Sequence, residues 1–261
     1  VKSDYAGLCW DPDELQARMQ HAQADLEIVR RPPKTINAGR YRVYLAPRAL
    51  QEVLAMMAWG GFGLKSQRTG QSPLNRMLAD GVRLDPTVDL SERHGRGLEP
   101  PFTTEGFAKP ERIHLVANGS LGDSLVDARS AREYDKCVNA ASEWPASLDM
   151  APGSLVVGDV LDALDTGLYI NNLWYLNFSD RNQARITGMT RFACFWVEGG
   201  KPQAPVNVMR FDDSIFRMLG ENLLSLTRER ELLLDKGTYG GRSNKSVELP
   251  GALIDGLNFT L

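Results

Sequence analysis

Few residues in this chain have the type and spacing to do chemistry. His94 stands next to Arg93, with Glu92 and Glu99 close by, and His114 follows after Glu105. Two imidazoles and a carboxylate are the donor set of a transition-metal site, where a bound metal would activate water for hydrolysis. The spacing matches no recurrent ligand pattern. His94 falls in a loop-like stretch, and His114 falls on an apolar strand-like run, where a structural histidine is the expectation. An enzyme with a metal site improvised from His94, His114 and nearby carboxylates is the alternative. Cys194 lies in Phe192-Ala193-Cys194-Phe195-Trp196 with no base in view, so it is expected to be a small buried hydrophobe. Ser66, Ser72 and Ser154 lack the Gly-x-Ser-x-Gly elbow of a hydrolase nucleophile. Gly60 to Ser66 looks like a phosphate loop only superficially, because the Walker spacing and the strand-loop-helix order are both wrong.

Composition narrows the classes. A chain of 261 residues, 43% hydrophobic and 24% charged, can bury a substantial core. A formal net charge of -3 leaves no basic footprint for nucleic acid. The three cysteines, Cys9, Cys137 and Cys194, are scattered, without disulfide framework or paired zinc spacing, which points to a reducing cytoplasm. No leader-like or membrane-spanning apolar run is present.

The elements that must position these residues are legible in part. Pro12 to Val29 reads as a helix, with Asp11 as N-cap and Asp13 and Glu14 at its positive end; Arg31-Pro32-Pro33 stops it. Tyr41 to Leu45 alternates as a strand, and Pro47 starts a helix to about Trp59, which Gly60, Gly61 and Gly63 break. Gly63 to Pro110 reads as long loops and short strands. Asn118-Gly119 predicts a hairpin between Ile113–Ala117 and Ser124–Ala128, and Ser130 is expected to cap a helix to Lys136. Two β-rich runs follow, the second turning at Glu198-Gly199-Gly200-Lys201 onto Gln203 to Met209. A helix from Ser214 to about Leu224 and terminal strands from Val247 to Leu261 complete the prediction. The fold class is α+β, β-dominated, with a mixed or antiparallel sheet or barrel-like domain and a few flanking helices.

Several of these segments carry a resemblance. Thr166-Gly167-Leu168-Tyr169-Ile170, then Thr187-Gly188, then Phe195 to Lys201, resemble the C-terminal domain of the TldD/TldE (PmbA) family. So do Gly39-Arg40-Tyr41-Arg42-Val43-Tyr44-Leu45-Ala46-Pro47 and the closing run Pro250 to Leu257. The resemblance runs from about Lys34 to Leu257 and is faint over Gly63–Pro101 and Asp135–Met150. It implies two domains' worth of parts: residues 1–33 as the connecting helix and linker from a missing N-terminal domain, and residues 34–261 as the C-terminal domain.

The family divides into zinc peptidases and metal-free partners. In the peptidases the strand matching Gly39 to Pro47 leads into a helix bearing His-Glu-x-x-x-His, whose histidines bind zinc and whose Glu is the general base. An ungapped continuation puts those positions at Ala55, Met56 and Gly60, none of which can bind zinc or shuttle a proton. The third ligand, a Cys in the glycine-rich tail, is matched by Tyr239. Both ligand segments are lost together. The resemblance therefore implies a non-catalytic TldE/PmbA-type subunit, with no cofactor in this chain and zinc in a TldD-like partner. The implied substrates are unfolded or leader peptides. Gly61, Gly63 and Gly240 are candidate close-approach positions for such a peptide, and Glu105-Gly106 a turn framing the cleft. A stand-alone homo-oligomeric peptide-binding or scaffold protein is the rival. Of Trp174, Tyr175, Phe192 and Trp196, at least half are expected in the core.

Overall fold

Asp11 opens the first helix as its place before Pro12 suggests: its carboxylate accepts from the backbone N–H groups of Asp13 and Glu14 at 3.0 and 3.2 Å. The computed structural model describes residues 1–7, 9–238 and 241–260. Tyr239 and Gly240, both singled out above, lie outside the described residues. In chain order the helices are α1 (Pro12–Val29), α2 (Pro47–Ala58), α3 (Leu64–Arg68), α4 (Asn75–Ala79), α5 (Ala128–Tyr134) and α6 (Val160–Leu164). The strands are β1 (Gly39–Leu45), β2 (Leu90–Glu92), β3 (Ile113–Ala117), β4 (Ser120–Leu121), β5 (Ser147–Met150) and β6 (Gly167–Asp180). They continue with β7 (Arg185–Glu198), β8 (Lys201–Pro205), β9 (Arg210–Ser214), β10 (Leu223–Leu234) and β11 (Ser246–Phe259).

All these strands join one mixed sheet, ordered β1-β6-β7-β9-β11-β5-β2-β3-β4, with β8 on β7 and β10 on β11. Because β1 also pairs with β11, antiparallel from Gly39↔Phe259 to Leu45↔Ala252, the path β1-β6-β7-β9-β11 closes on itself. The α+β, β-dominated expectation holds, and the closure gives it a barrel-like part. The apolar sides of β1, β7, β9 and β11 meet α2 in one large core, with Leu45, Leu50, Leu54, Met57, Phe62, Phe211 and Phe259 nearly inaccessible.

Local expectations fared unevenly. The Glu198 to Lys201 turn forms, with Gly199 and Gly200 both left-handed at φ 57° and 70°, as a type I′ hairpin requires. Asn118 and Gly119 also turn left-handed, but the returning strand is Ser120–Leu121 rather than Ser124–Ala128. Ser130 does not cap the next helix; Asp127 does, accepting from the Ser130 N–H at 2.8 Å. The predicted loops between Gly63 and Pro110 contain the short helices α3 and α4. The helix predicted from Ser214 to Leu224 shrinks to one wide turn, Arg217–Glu221, kinked at Gly220, and Leu223 already starts β10.

The long β6–β7 hairpin shifts register at three points, two of them bulges with a left-handed residue. Between the pairs Ile170↔Cys194 and Asn172↔Arg191, β7 has one residue too many, and Phe192 takes φ 62°. Between Trp174↔Met189 and Asn177↔Thr187 the surplus is on β6, and Tyr175 takes φ 56°. Bulges re-aim side chains. Trp174, Tyr175 and Phe192 are exposed, by 51%, 75% and 47%, so the expectation that at least half of the four aromatics are core is corrected. The Arg191 guanidinium lies over the rings of Trp174 and Phe192 at 3.9 and 4.8 Å.

Candidate functional site

Helix α2 follows β1 directly, with Pro47 at its first position and Ala46 bonded through its N–H to the Ile170 carbonyl of β6 at 3.0 Å. Ala49, Leu50, Val53, Leu54 and Met57 bury one face of the helix. The opposite stripe, Arg48, Glu52, Ala55 and Trp59, is exposed to different degrees, Ala55 and Trp59 most. Burial raises the Glu52 carboxyl, against the pull of Arg48 and Lys2.

The three positions in question part company on this frame. Ala55 faces outward, Met56 packs in the core at 5% exposure, and Gly60 follows the helix end in a left-handed turn at φ 77°. A side chain at Gly60 would start 2.8 Å from Nη2 of Arg181. That guanidinium donates to the Trp59 carbonyl at 2.6 Å and to the Gln71 carbonyl at 2.9 Å, and lies over the rings of Phe178 and Trp59. A fixed cation thus terminates the helix, where the negative end of the dipole favours one.

Gly61 and Gly63 do approach other groups closely, but within the chain: added Cβ atoms would meet the Met57 carbonyl oxygen at 2.0 Å and Glu143 Oε2 at 2.7 Å. Glu105 and Gly106 form an exposed turn closed by the Thr103 N–H bond to the Phe107 carbonyl at 2.8 Å. Hydrogen bonds from its own backbone and from the Thr103 and Thr104 hydroxyls hold the Glu105 carboxyl below its usual value. The structure does not bring Gly61, Gly63, Glu105 and Gly106 to the large cavity described below.

His94 and His114 do not form a site. His94 is buried, with Nδ1 2.9 Å from the Pro110 carbonyl and Nε2 3.3 Å from Glu92 Oε1. Both ring nitrogens therefore face oxygen acceptors inside the protein. Glu92 in turn accepts from the N–H groups of Ala146 and Ser147, at 3.0 and 2.8 Å, and so ties β2 to the start of β5. His114 is the exposed one, on the outer face of β3, which corrects the expectation of a structural histidine there. Cys194 is buried as expected, and burial pushes its thiol up. Among the described residues no three His, Cys, Asp or Glu side chains converge as metal ligands.

Nothing in the residue spacing pointed to a cavity of about 460 Å³ at the other end of α2. Its walls come from α1 (Arg18, His21, Asp25), the end of β1 (Tyr44), the start of α2 (Arg48), β6 (Tyr169, Asn171, Asn172) and β10 (Glu229 to Glu231). These residues are far apart in the chain, so no spacing could have revealed them.

Residues 38–261 match the family described as PmbA/TldA metallopeptidase C-terminal domain. The chain belongs to this family. Three solved structures share the family's fold with it. TldE from Thermococcus kodakarensis aligns with a TM-score of 0.78 at 12% identity, covering 95% of this chain and 56% of that one. A candidate modulator of a DNA gyrase from Thermotoga maritima aligns at 0.74 with 19% identity, over 96% of this chain and 56% of that one. Another candidate gyrase modulator, from Bacteroides thetaiotaomicron, aligns at 0.71 with 16% identity, over 94% and 51%. The chain thus spans little more than half the length of these PmbA/TldA-type structures. No curated protein matches it. The metal that a metallopeptidase family implies does not fit the helix α2 of this member: a methyl group, a buried thioether and a glycine offer no zinc donor set, and Arg181 stands at the third position. No helix among the described residues is long and apolar enough to cross a membrane.

Proposed function

We propose that this chain is a metal-free, TldE-like subunit of a zinc peptidase complex that hydrolyses unfolded or leader peptides. In this reading a TldD-like partner holds the zinc, and this chain shapes part of the path along which the peptide reaches it. The observation that carries the proposal is the state of helix α2. Its Ala55, Met56 and Gly60 replace the ligand and base positions, and the Arg181 guanidinium caps the helix end. A cation fixed there would repel a metal ion rather than recruit one. Extended peptides suit a β-rich wall, since a strand edge can hold their backbone by hydrogen bonds that ignore side-chain identity.

The exposed Trp174, Tyr175 and Phe192 with Arg191 supply the kind of aromatic and arginine surface that partner interfaces favour. The test is elemental analysis and a peptidase assay, on the chain alone and on material captured with it from its native extract. The expected result is no stoichiometric zinc and no cleavage alone, with zinc and cleavage in the captured complex. Zinc and cleavage by the lone chain would overturn the proposal. A stable homo-oligomer without a zinc-bearing partner would favour the scaffold reading instead.

A further inference from the structure

Residues 1–4 line the cavity at the start of α2 without belonging to a helix or strand. Among the described residues no main-chain hydrogen bond ties them to the sheet or to a helix. Side chains hold them instead, and most of that hold converges on Asp4. Its carboxylate forms ion pairs with Arg48 of α2 and with Lys236, which follows β10. Its carbonyl accepts from Nη1 of Arg18 on α1 at 2.7 Å. A looser contact puts the Lys2 ammonium 5.8 Å from the centre of the Phe192 ring.

Without Asp4 two of these cations lose their counter-charge. Among the described residues it is the only carboxylate within ion-pair distance of Arg48 or of Lys236; Arg48 otherwise donates to Gln51 of its own helix. Glu231 and Glu52 draw on Arg48 from farther off, and burial still lowers its guanidinium. Lys2 adds positive charge beside Lys236. The other charges of the wall are matched: Arg18 by Glu14 and Glu231, Arg230 by Asp149 and Glu248, Glu229 by Arg228, while Asp25 has His21 at 3.9 Å. A guanidinium and an ammonium on separate elements, facing one carboxylate, are the donor set of a carboxylate site. A segment tied down chiefly through one carboxylate can give way to another, because the ion pairs that break are remade.

We propose that Arg48 and Lys236 form a carboxylate-binding site that Asp4 fills in the free chain, and that a peptide carboxylate displaces Asp4, and residues 1–4 with it, from the cavity. The ligand class rests on the peptide-handling reading above. The site lies within one chain and needs neither zinc nor partner, so its failure leaves the metal-free-subunit reading to its own test.

The experiment is isothermal titration of the lone chain, parent and Asp4→Ala, with three tripeptides at low ionic strength. They are N-acetyl-Ala-Asp-Ala amide, N-acetyl-Ala-Ala-Ala with a free terminal carboxylate, and N-acetyl-Ala-Ala-Ala amide. In Asp4→Ala the first or the second should bind at least tenfold tighter than the third. The first would assign the site to an acidic side chain and the second to a chain terminus. The parent, with Asp4 in competition, should bind that same peptide at least tenfold more weakly than the variant does. Arg48→Met added to Asp4→Ala should abolish the preference. Thermal melting checks each protein, and Asp4→Asn, which keeps the shape of the side chain, serves if Asp4→Ala does not fold. Equal binding of all three peptides, binding of none by a folded Asp4 variant, a parent that binds as tightly as the variant, or a preference that survives Arg48→Met would overturn the proposal.

Discussion

The Nη2 of Arg181 donates to the Trp59 carbonyl at 2.6 Å and stands 2.8 Å from where a side chain on Gly60 would begin. One long side chain from the β6–β7 turn thus closes helix α2. Removing it leaves the last carbonyls of α2 to water. Arg181→Ala is expected to destabilise the protein by about 1–2 kcal/mol, the sum of a dipole-end contact and the stacking on Phe178 and Trp59. Urea unfolding measures it, and Arg181→Lys should recover only part of the loss because the planar fork is gone.

Rebuilding the ligand helix should fail. Ala55→His with Met56→Glu and Gly60→His places a carboxylate in the core and a β-carbon in a left-handed turn. A loss of several kcal/mol is expected, on the order of 1–3 from the buried unpaired carboxyl as a minimum. Zinc titration followed by thermal melting should show no stabilisation of the triple variant. A rise in Tm with zinc would mean that α2 retains a competent site geometry.

Glu92 and His114 offer a contrast between a buried clamp and a surface residue. Glu92 accepts from two backbone N–H groups and faces His94, whereas His114 is exposed. Glu92→Gln turns one acceptor into a donor facing donors, and about 2 kcal/mol should be lost. His114→Ala should stay within about 0.5 kcal/mol of the parent. Denaturant midpoints of the two variants, side by side, decide it.

What the sequence made legible follows a physical rule. Helix α1, helix α2, the Glu198 to Lys201 turn and the last strand were all readable, because caps, glycines and alternation act within a few residues. Strand β10 was not. Ile215 to Leu224 has apolar residues at helical spacing, and the Arg228 to Glu231 charges hide any alternation; pairing with β11 overrides both. Ala55, Met56 and Gly60 could be singled out from the chain, but Arg181, 121 residues beyond Gly60 in the numbering, could not. Likewise Asp25, Tyr44 and Asn172 line one cavity although they lie far apart in the chain.

Strain at the hairpin bulges gives a further test. Tyr175 is 75% exposed at φ 56°, a conformation that costs a side-chain-bearing residue about 1–2 kcal/mol. Tyr175→Gly removes that cost but adds unfolded-state entropy of about 0.5–1 kcal/mol. A net gain on the order of 0.5 kcal/mol is expected by thermal melting. If the aromatic is retained for an interface, the same variant should capture less of its partner despite being more stable.

Asp25 predicts a pH dependence with a definite sign. Burial raises its carboxyl above the ordinary 3.8, so the folded chain binds that proton more tightly than the unfolded one does. The penalty for the charged form is therefore absent below 3.8 and fully present above the raised value. Asp25→Asn should stabilise the protein at neutral pH, on the order of 1 kcal/mol. The advantage should fade as the pH falls from the raised value towards 3.8. Melting curves of both proteins across that range would show a constant difference if Asp25 were not buried in the sense described.

The closed path of strands has a consequence for how the chain acquires its shape. β1 finds its long antiparallel neighbour only in β11, more than two hundred positions later. During synthesis the early segments must wait, with an apolar face uncovered and a strand edge unpaired, until Phe259 has emerged. Contacts so distant along the chain are slow to form and leave intermediates open to aggregation. The barrel-like part of this sheet thus cannot close before β11 has been made, however early its other strands are in place.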